Sequence, residues 1–243
     1  MSWYRDWFNS EDYLQVYKHR DIVEAETLVK LIQKNTNLSK SSLVLDMACG
    51  SGRHSILFAQ KGFKATAVDL SERLISEAKK NAKQANVDIE FIQSDIRDLK
   101  LEKKFDLVVN LFTSFGYFDT DEENIIVIKK AKDLLKAGGY FIIDFLNKGF
   151  LEKNLIPLST LSENTTTITQ KRSINGNRVE KKITIEKDGK IKHFSESVRL
   201  YDIDELNNIL QSVGFRLLKT FGDFNGNIFE PNSSPRLIIF TQK

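Results

Sequence analysis

From position 43 onward the chain alternates short apolar runs with stretches of helical spacing. LVLDM (43–47), KATAVDL (64–70), DIEFIQ (88–93), FDLVVN (105–110) and GYFIIDF (139–145) read as strands, with helical spacing at 53–61, 71–85 and 121–136. Strands alternating with helices of this length predict a parallel, doubly wound sheet, and right-handed crossovers put helices on both faces. The runs are apolar on both sides, as strands buried between two helical layers must be.

Two segments depart from this rhythm. Between 11 and 34, Tyr13, Leu14, Tyr17, Leu28, Leu31 and Ile32 fall at roughly helical spacing after a candidate cap at Ser10, with Trp3, Tyr4, Trp7 and Phe8 ahead of them. Aromatics that dense outside a strand pattern predict a segment that folds over something. From 163 to 200, Thr, Ile, Val, Lys and Glu alternate, punctuated by Asn175-Gly176-Asn177 and Asp188-Gly189. These turn residues tolerate positive φ, and three antiparallel strands are expected there. Helical spacing returns at 202–212, closed by Gly214, and strands are expected at 215–221 and 236–242. The expected organisation is an N-terminal helical lid over 1–35, a main domain over 36–147 and 201–243, and an inserted antiparallel β subdomain over 148–200.

Composition narrows the setting. No segment approaches the roughly 18 apolar residues of a membrane helix, and the acid-bearing start does not read as a secretion signal. The only cysteine, Cys49, has no internal disulfide partner, which points to a reducing cytoplasm. A net charge of +3 is too small to argue for nucleic acid. Its distribution is uneven: residues 148–200 hold eleven Lys or Arg against six Asp or Glu, a local +5. That stretch is either a solvated basic face or an attraction for an anionic substrate.

The chemistry is concentrated where the first run meets its helix, in Val44-Leu45-Asp46-Met47-Ala48-Cys49-Gly50-Ser51-Gly52-Arg53-His54. Small residues let a ligand lie against backbone amides, and the helix N-terminus adds partial positive charge. Ser55 stands where a dinucleotide fingerprint would carry its third glycine, which argues against that fingerprint. Asp69 ends the second run, where a carboxylate can accept from both ribose hydroxyls, and Asp95 follows the third in Gln93-Ser94-Asp95-Ile96. A carboxylate at Asp95 suits an adenine amino group, with the Ile96 amide donating to a ring nitrogen. Each acid can also be a helix cap, yet three at successive strand ends mark a ligand-binding edge.

With these residues in place, 43–145 resembles the class I S-adenosylmethionine-dependent methyltransferases. Asp46-x-Ala48-x-Gly50-x-Gly52 looks like the family's first motif with Ala48 for a glycine, and Leu135-Lys136-Ala137-Gly138-Gly139 like its LKPGG turn. The resemblance implies a Rossmann-like seven-stranded sheet of order 3-2-1-4-5-7-6 with an antiparallel β insert after strand 5. It implies S-adenosylmethionine as cofactor, held by Tyr17, Arg20, Asp46, Ala48, Gly50, Gly52, Asp69, Leu70, Ser94, Asp95, Ile96, Asn110, Leu111 and Phe112. A narrower resemblance is to the N,N-dimethyltransferases of nucleotide-linked amino sugars. It rests on Tyr17-Lys18-His19-Arg20-Asp21, Asn110-Leu111-Phe112-Thr113-Ser114-Phe115-Gly116-Tyr117 and Lys192-His193-Phe194-Ser195. In that subgroup the insert covers the substrate and contributes to oligomer contacts, so a homodimer through it is expected.

The sulfonium already makes the methyl group electrophilic, so alignment and desolvation carry most of the catalysis. Aromatic faces suit such a cation: Tyr17, Phe112 and Tyr117 are expected in the site, Tyr117 as a catalytic residue, and Tyr13 and Phe115 are either site or core residues. For an amine acceptor, His193 on the insert is the first candidate base, against a surface histidine on a hairpin. His54 is a cap or a substrate contact, His19 is solvent-facing, and Arg20 pairs with the methionyl carboxylate or is a surface charge. No metal site is expected. The expected acceptor is an amino, less readily a hydroxyl, group of a small molecule. An RNA methyltransferase and a non-catalytic cofactor-binding regulator are the rivals.

Overall fold

The structure, a computed structural model, describes residues 3–18 and 22–243. Three helices precede the sheet: α1 (Trp3–Asn9), α2 (Asp12–Val16) and α3 (Ile22–Lys34). The single helical pattern expected over 11–34 is therefore divided, with α2 ending at the Tyr17 turn. Ser10 acts at the start of α2, its hydroxyl accepting from the Asp12 amide at 3.1 Å.

The main sheet is built from β1 (Leu43–Met47), β2 (Lys64–Asp69), β3 (Glu90–Gln93), β4 (Phe105–Asn110) and β5 (Leu135–Leu146), joined through α4 (Arg53–Gln60), α5 (Glu72–Gln84) and α6 (Asp121–Leu134). After β5 come α7 (Lys148–Asn154) and four strands, β6 (Leu158–Glu163), β7 (Thr166–Asn175), β8 (Arg178–Lys187) and β9 (Lys190–Arg199). The chain then returns through α8 (Ile203–Val213), β10 (Arg216–Phe221) and β11 (Arg236–Gln242). Sheet order is β10-β11-β5-β4-β1-β2-β3, which is the expected 3-2-1-4-5-7-6 with the last two strands renumbered for the insert. All neighbours are parallel except β11, which runs antiparallel to both β5 and β10.

Two cores follow from this layering. On one face α3 and α4 bury Leu28, Ile32, Leu57 and Phe58 against Val44, Leu107 and Ile142. On the other, α6 and α8 bury Val127, Ile128, Leu206 and Leu210 against Leu45, Val108 and Phe141. Local signals close the helices: Asp202 and Glu205 form a reciprocal capping box on α8, and Gly214 ends it in the left-handed region.

The insert is an antiparallel sheet in the order β6-β7-β8-β9, one strand more than the three expected. β6 lacks clear apolar alternation, since most of its residues are exposed, and it pairs with β7 along an antiparallel backbone ladder. The inner face of this sheet carries Ile168, Ile183, Ile185 and Phe194, which close on Trp7, Tyr13 and Val16 of α1 and α2. The dense N-terminal aromatics thus fold between the insert and the rim of the main sheet. Among the described residues no helix is long and apolar enough to cross a membrane.

Candidate active site

The carboxyl edge of β1, β2 and β4 borders a cavity of about 270 Å³ roofed by α1, α2 and Tyr17. One wall is the β1–α4 turn, where Ala48, Gly50 and Gly52 have φ of 63°, 57° and 83°. A left-handed alanine costs about 1 kcal/mol. A Cβ on Gly50 would meet no atom within 4 Å, and Gly50 borders the cavity, so bare backbone faces the open space. Gly52 faces away: its Cβ would lie 3.1 Å from Ala78 Cβ on α5, so it serves close helix packing and does not line the cavity.

Asp69 borders the cavity at the end of β2, its carboxylate accepting from the amides of Gly50 (2.8 Å) and Ser71 (2.9 Å). Burial pushes its pKa up, and the amide bonds oppose that. A carboxylate has about four acceptor sites, which leaves capacity for a ligand's hydroxyl groups. Ser71 also reaches upward, its hydroxyl 2.8 Å from the Phe8 carbonyl and from Asn9 Oδ1. The roof is therefore pinned to the same turn that Asp69 holds.

Asp95 borders the cavity too, but its carboxylate is already the centre of a charged network. Arg97 reaches it through its amide (3.0 Å), Nε (3.1 Å) and Nη2 (2.8 Å), and Arg5 of α1 through Nη2 (3.2 Å). Burial alone would raise the Asp95 pKa, and the bonds and charges of Arg97 and Arg5 outweigh it and hold it below the usual carboxylate range. An adenine amino group would have to share this carboxylate with Arg5.

The third wall is the loop after β4, contributing Leu111, Phe112, Ser114, Tyr117 and Phe118. Tyr117 packs on Trp3 (ring centroids 5.4 Å apart) and Phe8 (5.6 Å) of α1. The root of the insert grips this loop: Arg178 Nη1 donates to the Phe118 carbonyl (3.1 Å), and the Arg199 amide donates to that of Gly116 (2.8 Å).

A further charged cluster joins roof to insert. Glu196 on β9 accepts from Trp7 Nε1 (2.7 Å), from the Tyr17 hydroxyl and from Lys181 Nζ on β8 (2.6 Å). Lys181 also donates to the Tyr17 oxygen (2.6 Å). Burial raises the Glu196 pKa, and Lys181, Tyr17 and Trp7 together bring it below the ordinary value. Nearby, Lys192 Nζ donates to Asp12 (2.8 Å), and Lys18 pairs with Glu163.

Of the residues singled out in the sequence, Tyr17, Ala48, Gly50, Asp69, Leu70, Asp95, Ile96, Leu111, Phe112 and Tyr117 border the cavity, as do Tyr13 and His54. Others do not. Asp46 turns to α4 and accepts from the Ser55 hydroxyl (2.6 Å). Ser94 donates to the Asp95 carbonyl (3.0 Å). Asn110 is fully buried, its Nδ2 on the Met47 carbonyl (3.0 Å) and its Oδ1 without a partner. Phe115 is in the core against Phe145 and Tyr201. His193 is corrected most plainly: strand alternation aims Lys192, Phe194 and Glu196 at the roof and leaves His193 exposed on the other face, 3.2 Å from Thr184 Oγ1. Arg20 and His19 lie outside the described residues. Tyr4 and Phe8 of the N-terminal aromatic segment also border the cavity, and sequence reading missed Lys18, Arg53 and Phe118 on the wall and the Glu196–Lys181 pair behind it. The available signal was Glu196 at an inward position between Phe194 and Val198.

Residues 44–139 match the methyltransferase domain family, which covers the glycine turn, all three strand-end acids and β4. Residues 44–139 therefore carry a methyltransferase domain. Over 217 residues it is 29% identical to YqeM of Bacillus subtilis (strain 168), covering 85% of this chain and 86% of that one. It is 31% identical over 121 residues to the dTDP-3-amino-3,4,6-trideoxy-alpha-D-glucopyranose N,N-dimethyltransferase of Streptomyces venezuelae, covering 50% of this chain and 48% of the relative. Its fold is shared with a S-adenosylmethionine-dependent methyltransferase from Clostridium acetobutylicum ATCC 824, with a TM-score of 0.82 at 21% identity over 95% of both chains.

Within this domain the buried Asp46 carboxylate carries a cost. Burial, opposed by the Ser55 bond and aided by the Asp69 charge, raises its pKa to about 6. The folded state then binds this proton more tightly than the unfolded chain, so the contribution of Asp46 to stability is fully present below the ordinary carboxylate pKa and is lost as pH rises through about 6. The span is up to about 3 kcal/mol. Asp46→Asn, whose amide oxygen can still accept from Ser55, is expected to unfold at higher temperature than the parent at pH 7. The gain should vanish near pH 4 in a thermal-melt series, and an equal gain at both pH values would contradict the assignment.

Proposed function

We propose that the enzyme transfers the methyl group of S-adenosylmethionine to an amino group of a small-molecule acceptor held under the roof of α1, α2 and Tyr17. The observation that carries this reading is one cavity with two dissimilar kinds of lining. Gly50, Asp69 and Ile96 give it strand-edge lining suited to a nucleoside, and Tyr13, Tyr17, Phe112 and Tyr117 give it aromatic lining. The residues fit the cofactor, since Gly50 leaves backbone open to the cavity and Asp69 retains acceptor capacity. When bound, that cofactor supplies an electrophilic methyl group on a sulfonium centre.

The protein's own part is to hold and dry. Asp69 takes the ribose hydroxyls, the Gly50 turn lies against the ligand, and the aromatic lining excludes water and favours positive charge. The N,N-dimethyltransferase relative, whose name specifies an amino sugar, supports an amine acceptor. Lys18 and Arg53 on the wall, with the basic insert, favour an acceptor carrying negative charge. An amine attacks as the free base, and among the described residues His54 is the histidine on the wall. His54→Ala is expected to slow transfer about tenfold, below a full general-base contribution because bulk water also deprotonates amines. His193→Ala should leave turnover within about twofold, as expected for an exposed site. Turnover measured across pH 6–9 checks both, and the reverse pattern would return the role to His193.

The reading is tested by incubating the enzyme with methyl-labelled S-adenosylmethionine and either acid-soluble metabolites or total RNA. Label is expected in amine-bearing small molecules, with N-methylation read by mass spectrometry. Label confined to RNA, or an O-methyl product, would overturn it.

A further inference from the structure

The loop after β4 is strained where it meets the cavity. Phe112 and Thr113 have φ of 59° and 63°, two consecutive non-glycine residues in the left-handed region, and Thr113 is β-branched. Side chains of this kind avoid that region unless their surroundings impose it. The imposing groups are behind the loop. Asp144, on β5 and fully buried, accepts from the Phe112 amide through Oδ2 (2.9 Å), and its carbonyl accepts from the Thr113 amide (3.0 Å). Arg236, the first residue of β11, donates from Nε to Asp144 Oδ1 (2.8 Å) and from Nη2 to Thr113 Oγ1 (2.9 Å). Neither Asp144 nor Arg236 borders the cavity, yet Phe112 does, with its ring 5.0 Å from Arg53 Cζ on the β1–α4 side.

We infer that Asp144 and Arg236 are positioning residues for methyl transfer: together they hold the backbone of Phe112 and Thr113 in a strained turn that fixes Phe112 against the methionyl half of the cofactor. The inference rests on the proposed placement of S-adenosylmethionine between the β1–α4 turn and the loop after β4. It adds that the antiparallel return strand β11, far from the glycine turn in sequence, shapes the cofactor's reactive end. The charged pair is a way of imposing the turn. An ionised acceptor bonds an amide more strongly than a neutral one, and the arginine fork ties the same carboxylate to the next residue's hydroxyl.

The test compares the parent with Asp144→Asn, Phe112→Ala and the double variant, by calorimetry with S-adenosylmethionine and separately with adenosine, which lacks the methionyl half. Asp144→Asn is expected to weaken S-adenosylmethionine about tenfold while leaving adenosine within about twofold, the size of one lost charge-assisted bond. In the Phe112→Ala background the same substitution should add nothing, because its effect is carried by that ring. Equal losses for both ligands, or a full second loss in the double variant, would overturn the inference in favour of a purely structural pair. Should Asp144→Asn fail to fold, Arg236→Lys keeps the charge and loses the fork; it should again weaken S-adenosylmethionine and spare adenosine, and unchanged binding of both would overturn the proposal. Loss of S-adenosylmethionine binding in Asp69→Ala, read alongside, tests the cofactor placement itself.

Discussion

Asp69→Ala is expected to weaken S-adenosylmethionine binding by about 1–3 kcal/mol, roughly five- to 150-fold, with the upper end favoured. Two losses combine. The ribose loses a charged acceptor, and the amides of Gly50 and Ser71 lose the carboxylate that organises the turn. Because Ser71 caps α5 and also bonds the carbonyl of Phe8, the roof above the cofactor loosens at the same point. Asp69→Asn should be milder, since an amide oxygen still accepts one bond. Calorimetry on both variants checks this, and parent-like affinity in Asp69→Ala would remove the residue from the site.

Glu196→Ala should loosen the roof. The substitution takes the carboxylate away from the Lys181 ammonium and the acceptor away from the Trp7 indole. Breaking one partner of a buried pair costs about 3 kcal/mol, and here the local response is loosening of α1 and α2 on the side of the insert, where this cluster and aromatic packing hold them, while Arg5 and Ser71 still tie α1 to the main domain. The chain has two tryptophans, Trp3 and Trp7, and both lie on α1, so its fluorescence reports the roof directly. Emission is expected to shift to longer wavelength in Glu196→Ala, with faster cofactor release and slower methyl transfer, while residues 44–139 stay folded. Acid should act in the same direction in the parent. The lowered Glu196 pKa contributes stability above the ordinary glutamate range that is lost as pH falls through the folded value. Unshifted emission in Glu196→Ala would show that the cluster does not fasten the roof.

The strands and helices of the main sheet were legible because their signal is local: period, length and the turn residues between them. The acids at the ends of β1 and β2 were legible as residue types, and their orientations were not. Asp46 and Asp69 end adjacent parallel strands, yet one faces Ser55 on α4 and the other borders the cavity. Ser55 marked the departure from the dinucleotide fingerprint, and its hydroxyl is what binds Asp46. His193 failed for a register reason, since a shift of one residue on a strand exchanges the two faces of the sheet. Asp95 drew Arg5 from ninety residues away, and Phe112 is held by Asp144 and Arg236. Such partners meet only through tertiary contacts, which periodicity does not encode.

A structure with S-adenosylhomocysteine bound tests the account most directly. Both ribose hydroxyls should lie within hydrogen-bond distance of the Asp69 carboxylate, with the sulfur directed toward the aromatic lining of Tyr17, Phe112 and Tyr117. Ribose placed away from Asp69, or sulfur directed away from that aromatic lining, would contradict it.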